Sequence, residues 1–192
     1  MLSDMEILSQ MIKDTALARL ERERGELCVR LIEPQAPGSS VIVRNLPADA
    51  LVIKVDKFPA LDAIFYGRNG ECKRGDYIII SAQKKCIIYI EMKSTKGVWK
   101  QVVKQLRGTQ CFVKYFQELG KEFWEEKQFL NGYQSRFICL EHTRIPKNKT
   151  QYIQATRLHD TRNPEVHDTP DKAIKVNSLK DLQFNRLARL GV

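Results

Sequence analysis

The chemistry on offer in this sequence gathers at three residues. Asp76 stands at the head of the run DYIIIS, and Glu91 and Lys93 stand at the tail of CIIYIEMKS. If residues 82–85 (AQKK) form the turn of a hairpin, Ser81 faces Cys86 and an antiparallel ladder carries Asp76 opposite Glu91. Period two then puts Lys93 on the face of Glu91 and turns Met92 away, while a slip of one residue would part the carboxylates. Two carboxylates this close repel each other unless a cation stands between them. Magnesium suits such a place, because it takes one or two protein carboxylates and keeps waters and phosphate oxygens around itself. The expected ligands are Asp76, Glu91 and the backbone carbonyl of Met92, and the expected cofactor is Mg2+ or Mn2+. Lys93 would orient or activate the attacking water and stabilise charge developing on a phosphoryl group. Read singly, Asp76 is a turn residue after CKRG, and Glu91 and Lys93 are an ion pair where a strand emerges into solvent. Convergence at the polar end of two apolar runs favours metal-assisted phosphodiester hydrolysis.

The elements that must position these groups are legible around them. DYIIIS and CIIYIEMKS are almost continuously apolar before they turn polar, the pattern of central strands covered on both faces. The stretch VWKQVVKQLRGTQCFVKYFQEL reads as a long helix. Its buried stripe is Trp99, Val102, Val103, Leu106, Val113 and Phe116, and Gly120 is its expected end. RFICLE is a further strand. Upstream, Ser3 with Glu6 makes a capping box, and Met5, Leu8, Met11, Ile12, Thr15 and Ala16 recur at helical spacing. The first helix is therefore expected to run to Gly25, with the sign-alternating residues 19–24 as a solvated face. LCVRLIE, VIVRNL and ALVIKV read as short strands, PQAPGSS as a loop and GRNGECKRG as a polar turn. Near the C-terminus, QYIQATRL is an expected edge strand, HDTRNPEVHDTPDK is loop-like, and LKDLQFNRLARL is a short closing helix. No repeat divides the chain. One domain over 1–192 is expected, with a less regular extension from about residue 143, in the α/β class with a mixed sheet flanked by helices.

GDYIII followed by IYIEMK resembles the PD-(D/E)XK signature of the restriction-endonuclease-like nuclease superfamily, with fourteen residues between Asp76 and Glu91. In that family an Asp begins one core strand and E-x-K closes the next. The resemblance covers residues 60–142 and implies a core of helix, three strands, helix and strand. It also implies an endonuclease acting as a magnesium-dependent hydrolase on nucleic acid, with Asp76, Glu91 and Lys93 as the catalytic core. The family often sets a polar residue on the helix after E-x-K, which points to Gln105 and Gln101, four apart on one face, as supporting catalytic groups. Gly75 replaces the usual proline. A glutamate on the first helix is frequent in the family, and Glu6, Glu21 and Glu23 are all candidates here. The four cysteines of the iron–sulfur members are not recognisable, so no cluster is expected.

Composition sets the partners. Lysine plus arginine number 32 against 23 acids, a net charge of +9 with a pI near 9.4, which suits a polyanion. Lys73, Arg74, Lys96, Lys100, Lys104 and Arg107 surround the proposed centre as nucleic-acid-binding residues, contacting phosphate without reading bases. Residues 144–162, with Tyr152 among cations, offer a second contact surface. DNA binding is favoured over RNA. A homodimer or a larger complex is in keeping with a duplex that has two strands to cut. Two other readings share these residues: a nucleic-acid-binding module with weak or absent catalysis, and an interaction subunit of a larger bacterial defence or repair assembly. His142, His159 and His167 lack ligand spacing and read as surface or packing residues. Five scattered cysteines without a CxxC pair argue against structural zinc or disulfides, with Cys86 and Cys111 expected in the core. No apolar run approaches the ~18 residues of a membrane span. The start, MLSDMEILSQMIKD, lacks a signal-peptide core, so a cytoplasmic protein is expected.

Overall fold

The computed structural model describes residues 2–33, 36, 39–59, 61–94, 97–141, 167–177 and 181–189. In chain order the helices are α1 (Asp4–Met11), α2 (Trp99–Phe123) and α3 (Phe184–Ala188). The strands are β1 (Leu20–Glu23), β2 (Glu26–Ile32), β3 (Ser40–Arg44), β4 (Leu51–Lys54), β5 (Tyr77–Ser81), β6 (Cys86–Lys93), β7 (Gln134–Glu141), β8 (Ile174–Asn177) and β9 (Asp181–Gln183). The class is mixed α/β as expected, but the strands form two sheets rather than one. A five-stranded sheet runs β4-β5-β6-β7-β8, and a four-stranded sheet runs β1-β2-β3-β9.

In the larger sheet β4, β5 and β6 form an antiparallel meander. α2 then crosses over to β7, which lies parallel to β6 and to β8. Strict alternation divides the apolar residues of this sheet between two cores. Ile78, Ile80, Ile87, Tyr89, Phe137 and Cys139 pack with α1 and α2. Tyr77, Ile79, Ile88, Ile90, Met92 and Ile138 pack against Val29, Leu31, Val41 and Val43 of the smaller sheet and against α3. That is why β5 and β6 read as unbroken apolar runs: both of their faces are covered.

The capping box forms, with the Ser3 amide donating to Glu6 Oε2 at 2.7 Å and the Glu6 amide to Ser3 Oγ at 3.3 Å. α1 nevertheless ends at Met11, well short of Gly25. Residues 20–23 of the expected helix face are β1, paired antiparallel with β2. The hairpin loop is Arg24 and Gly25, both at positive φ (53° and 84°), the backbone of a two-residue primed turn. Gly25 therefore serves a hairpin, and the alternating signs of LERE belong to a strand.

Gly120 does not end α2, which continues to Phe123. It lets the helix touch the buried Phe129 ring, since a Cβ there would come within 2.1 Å of Phe129 Cδ1. The buried stripe of α2 is Val102, Leu106, Thr109, Val113, Phe116 and Gly120, with Trp99 and Val103 only partly covered. Cys111 falls off that stripe and is exposed, against expectation, whereas Cys86 is buried, and all five cysteines are free. LKDLQFNRLARL holds β9 as well as the closing helix α3. The expected edge strand QYIQATRL lies outside the described residues, as does all but the tail of the expected loop after it. Among the described residues no helix is long and apolar enough to cross a membrane.

Gly120→Ala should lower unfolding free energy by up to about 2 kcal/mol net, because overpacking against Phe129 costs about 1–3 kcal/mol and alanine returns only ~1 kcal/mol over glycine in a helix. Urea denaturation of the two proteins measures this, and an unchanged midpoint would refute the close contact.

Candidate active site

The hairpin register is the expected one up to its last pair, Ser81 facing Cys86 and Tyr77 facing Ile90. Asp49 fixes the turn by accepting from Ser81 Oγ and from the Gln83 amide, both at 2.7 Å. Beyond Tyr77 the ladder changes. The Asp76 amide donates to the Ile90 carbonyl at 3.0 Å, so Asp76 and Glu91 do not form a regular opposed pair. The Asp76 carboxylate instead accepts the Met92 amide at 2.6 Å and takes the place of a backbone acceptor at the strand end. A strand residue projects its N–H and C=O to the same side, so the Met92 carbonyl is turned toward Asp76 as well.

Glu91 is 1% exposed. Its Oε1 holds Lys93 Nζ at 2.5 Å, and its Oε2 is buried without a hydrogen-bond partner among the described residues. Lys93, with a side chain 27% exposed, connects this buried acid to the surface. Burial drives the Asp76 carboxyl up to about 7, with Glu33 adding to the rise and the Met92 amide opposing it. Burial and then the Asp76 charge push Glu91 up to about 8, against the pull of Lys93. Burial alone would lower the Lys93 ammonium, but the bond and charge of Glu91 outweigh it and hold the group above its ordinary value.

Three residues at this centre were not among the expected ones. Glu33, buried just past β2, raises both Asp76 and Glu91 through its charge. Its position is set by Tyr77, whose hydroxyl donates to the Ile32 carbonyl at 2.8 Å and accepts the Ile32 amide at 3.0 Å. The acids considered for the first helix lie elsewhere: Glu6 caps α1, Glu23 pairs with Arg44 at 2.9 Å, and Glu21 is exposed on β1. The only sequence trace of Glu33 is that an acid closes the apolar run LCVRLI.

Thr109 and Gly108 fasten α2 to the chain just before Asp76. Thr109 Oγ1 accepts the Gly75 amide at 2.6 Å and donates to the Gln105 carbonyl at 3.0 Å. A Cβ on residue 108 would fall 1.7 Å from the Lys73 carbonyl oxygen, so only glycine allows this approach. Gly75 is also closely approached, though less tightly than Gly108. A Cβ there would stand 2.9 Å from Thr109 Oγ1 and 3.3 Å from Glu91 Oε2, and a proline would remove the N–H that Thr109 accepts. Gln105 is half-buried one turn before Thr109 on the same helix face, while Gln101, a further turn away, is exposed.

Lys73 and Lys100 are exposed and make no salt bridge among the described residues. Lys104 lays its stem along Gly70. Arg74 donates to the Pro59 carbonyl at 2.6 Å, and Arg107 is engaged by Asp171 at 2.8 Å, so neither is wholly free for phosphate. Lys96, His142, His159 and residues 144–162 lie outside the described residues. His167 is a packing residue, its ring against the Leu187 carbonyl at 3.1 Å.

Among the described residues no group of three or more His, Cys, Asp or Glu side chains is arranged to hold a metal ion. The donor set that fits a hard divalent ion is smaller: the Asp76 and Glu91 carboxylates, the orphaned Glu91 Oε2 among them, with the Met92 carbonyl. Comparison of the chain with protein-family models, with curated proteins and with solved structures gives no match.

Two carboxyls raised in the folded state bind protons that the unfolded chain has already lost. Their stabilising contribution is present below about pH 4 and is lost as pH rises through the folded values. Metal-free protein should therefore lose stability from this centre between about pH 6 and about pH 9. Added magnesium should restore more at the higher pH, since ligands must shed protons to bind it. Thermal melts with and without magnesium at both pH values measure this, with Glu91→Gln expected to flatten the dependence. A magnesium effect that is absent or larger at low pH would refute it.

Proposed function

We propose that the chain is a metal-dependent nuclease of the PD-(D/E)XK kind, hydrolysing phosphodiester bonds in nucleic acid, with DNA as the first substrate. One observation carries the reading: the half-buried Asp76 stands close enough to the buried Glu91 to raise its carboxyl, and among the described residues the one ion pair at Glu91 is with Lys93. Two neighbouring carboxylates against one ammonium leave a negative excess that a divalent ion would offset, and among the described residues Glu91 Oε2 has no hydrogen-bond partner. The antiparallel meander, crossover helix and parallel next strand agree with the core that the resemblance implies.

A divalent ion held by Asp76, Glu91 and the Met92 carbonyl would make water a nucleophile near neutral pH and offset charge on the phosphate. The chain's own groups supply the rest. The Met92 amide fixes the Asp76 carboxylate. Glu91 Oε1 holds Lys93 Nζ at the edge of the buried centre, where it orients the nucleophile and stabilises the anionic transition state. Thr109 accepts the Gly75 amide and so holds α2 against the segment that leads into β5, and Gln105, one turn before Thr109, would support the substrate. Lys73 and Lys100, exposed, take phosphates flanking the cut.

The second reading is a nucleic-acid-binding or interaction subunit with little or no catalysis. The Lys93–Glu91 ion pair favours it, because the ammonium already has a partner. Cleavage of single- and double-stranded DNA and RNA with magnesium or manganese separates the two. Wild type should cut, and Asp76→Ala and Lys93→Ala should each lose at least about a hundredfold in rate while keeping a folded spectrum. Activity that survives both substitutions ends the catalytic assignment. No cutting by well-folded wild type on any substrate leaves the binding reading.

A further inference from the structure

The loop that leads into Asp76 is held by internal hydrogen bonds, yet it turns its apolar side chains outward. Residues 61–65 begin as a turn in which the Ile64 and Phe65 amides both donate to the Leu61 carbonyl, at 3.0 and 2.9 Å. Cys72 Sγ reaches the Phe65 carbonyl at 3.5 Å, and the Lys73 amide donates to the Gly70 carbonyl at 2.9 Å. Gly67 and Gly70 supply the positive φ that these turns need, and Gly70 rests on the Lys104 stem of α2. Despite this bonding Tyr66 is 88%, Ile64 77% and Phe65 48% exposed. A braced loop that leaves two rings and an isoleucine in water has a surface to offer.

The charge beside the rings says what it suits. The Arg68 guanidinium lies 4.8 Å from the Tyr66 ring centre, and Lys73 is exposed at the loop's end. Two acids share the segment. Glu71 is engaged by the Asn69 amide at 2.9 Å, and Asp62 is exposed on the opening turn. Aromatic faces set among cations bind unpaired nucleobases by stacking, with phosphates held alongside, and such stacking is worth about 1–3 kcal/mol per base. A duplex keeps its bases stacked inside and offers these rings nothing comparable.

We propose that Phe65 and Tyr66, flanked by Arg68 and Lys73, form a lip that stacks unpaired bases, so that the ligand is a single strand or a single-stranded branch. Its place as the guide to a cut rests on the nuclease reading above, but the binding does not.

Fluorescence anisotropy in EDTA, with a labelled oligothymidylate and a blunt duplex of equal length, tests the lip. Wild type should prefer the single strand. The double variant Phe65→Ala with Tyr66→Ala should lose about tenfold or more on it and less than about threefold on duplex. Arg68→Ala should weaken single-strand binding and reduce its dependence on salt. Unchanged affinity in the double variant, an equal loss on both ligands, or no single-strand binding by wild type would overturn the proposal. Sedimentation showing a dimer that the double variant dissolves, with single-strand affinity intact, would overturn it in favour of a self-association surface. Cleavage by the wild type, measured beside its binding, separates the two proposals. A retained single-strand preference in a protein that never cuts sinks the nuclease and keeps the lip, whereas cutting without that preference does the reverse.

Discussion

Buried like charge is the constraint around which this molecule is arranged. Asp76 and Glu91 sit where β5 and β6 leave the core, near Glu33, and among the described residues the ammonium paired with Glu91 is that of Lys93. Leaving water costs several kcal/mol for an ionised carboxylate even after relaxation, so the folded chain holds these groups toward their protonated forms. Nothing within the hairpin gains from this. Under the proposed function the centre would receive positive charge from outside, and a hard divalent ion is the species whose ligand preferences match two carboxylates and a carbonyl.

Such a centre needs a rigid base. Ile78, Ile79, Ile80, Ile87, Ile88 and Ile90 are all buried between α1 and α2 on one side and the smaller sheet with α3 on the other. Together they contribute on the order of 10 kcal/mol of burial free energy, as an upper figure, enough to offset the cost of the acids at the strand ends. The helix α2 then does two things. Its apolar stripe covers one face of the sheet, and its Gly108 and Thr109 approach the backbone of residues 73–75 closely enough to fix the start of β5. The segment that enters the site is thus clamped by the element that also carries Gln105, Lys104 and Lys100.

The second sheet gives Glu33 its place. β2 and β3 pack Val29, Leu31, Val41 and Val43 onto the central strands, and the Tyr77 hydroxyl fastens the end of β2 beside Asp76. An acid 43 positions upstream of Asp76 in the chain is thereby brought into its electrostatic reach.

Local pattern alone determined the hairpin. A four-residue turn and an alternation of period two fix which residues of β5 and β6 face each other as far as Tyr77 and Ile90, but not the break beyond them that takes Asp76 out of register with Glu91 and onto the Met92 amide. The capping box of α1 was equally local, set by interactions within a few residues. Local pattern also misled where one signal serves two structures. Arg24 and Gly25 suit a hairpin loop as well as a helix stop, and only the pairing of β1 with β2 chooses between them. Gly120 suits a helix end as well as a ring contact, and only Phe129, brought back by the turn after α2, decides it. The division into two sheets, the approach of Glu33, and the grip of Thr109 on Gly75 belonged to tertiary structure. Each depends on segments distant in sequence meeting across a packed core, and no spacing along the chain encodes which of them will meet.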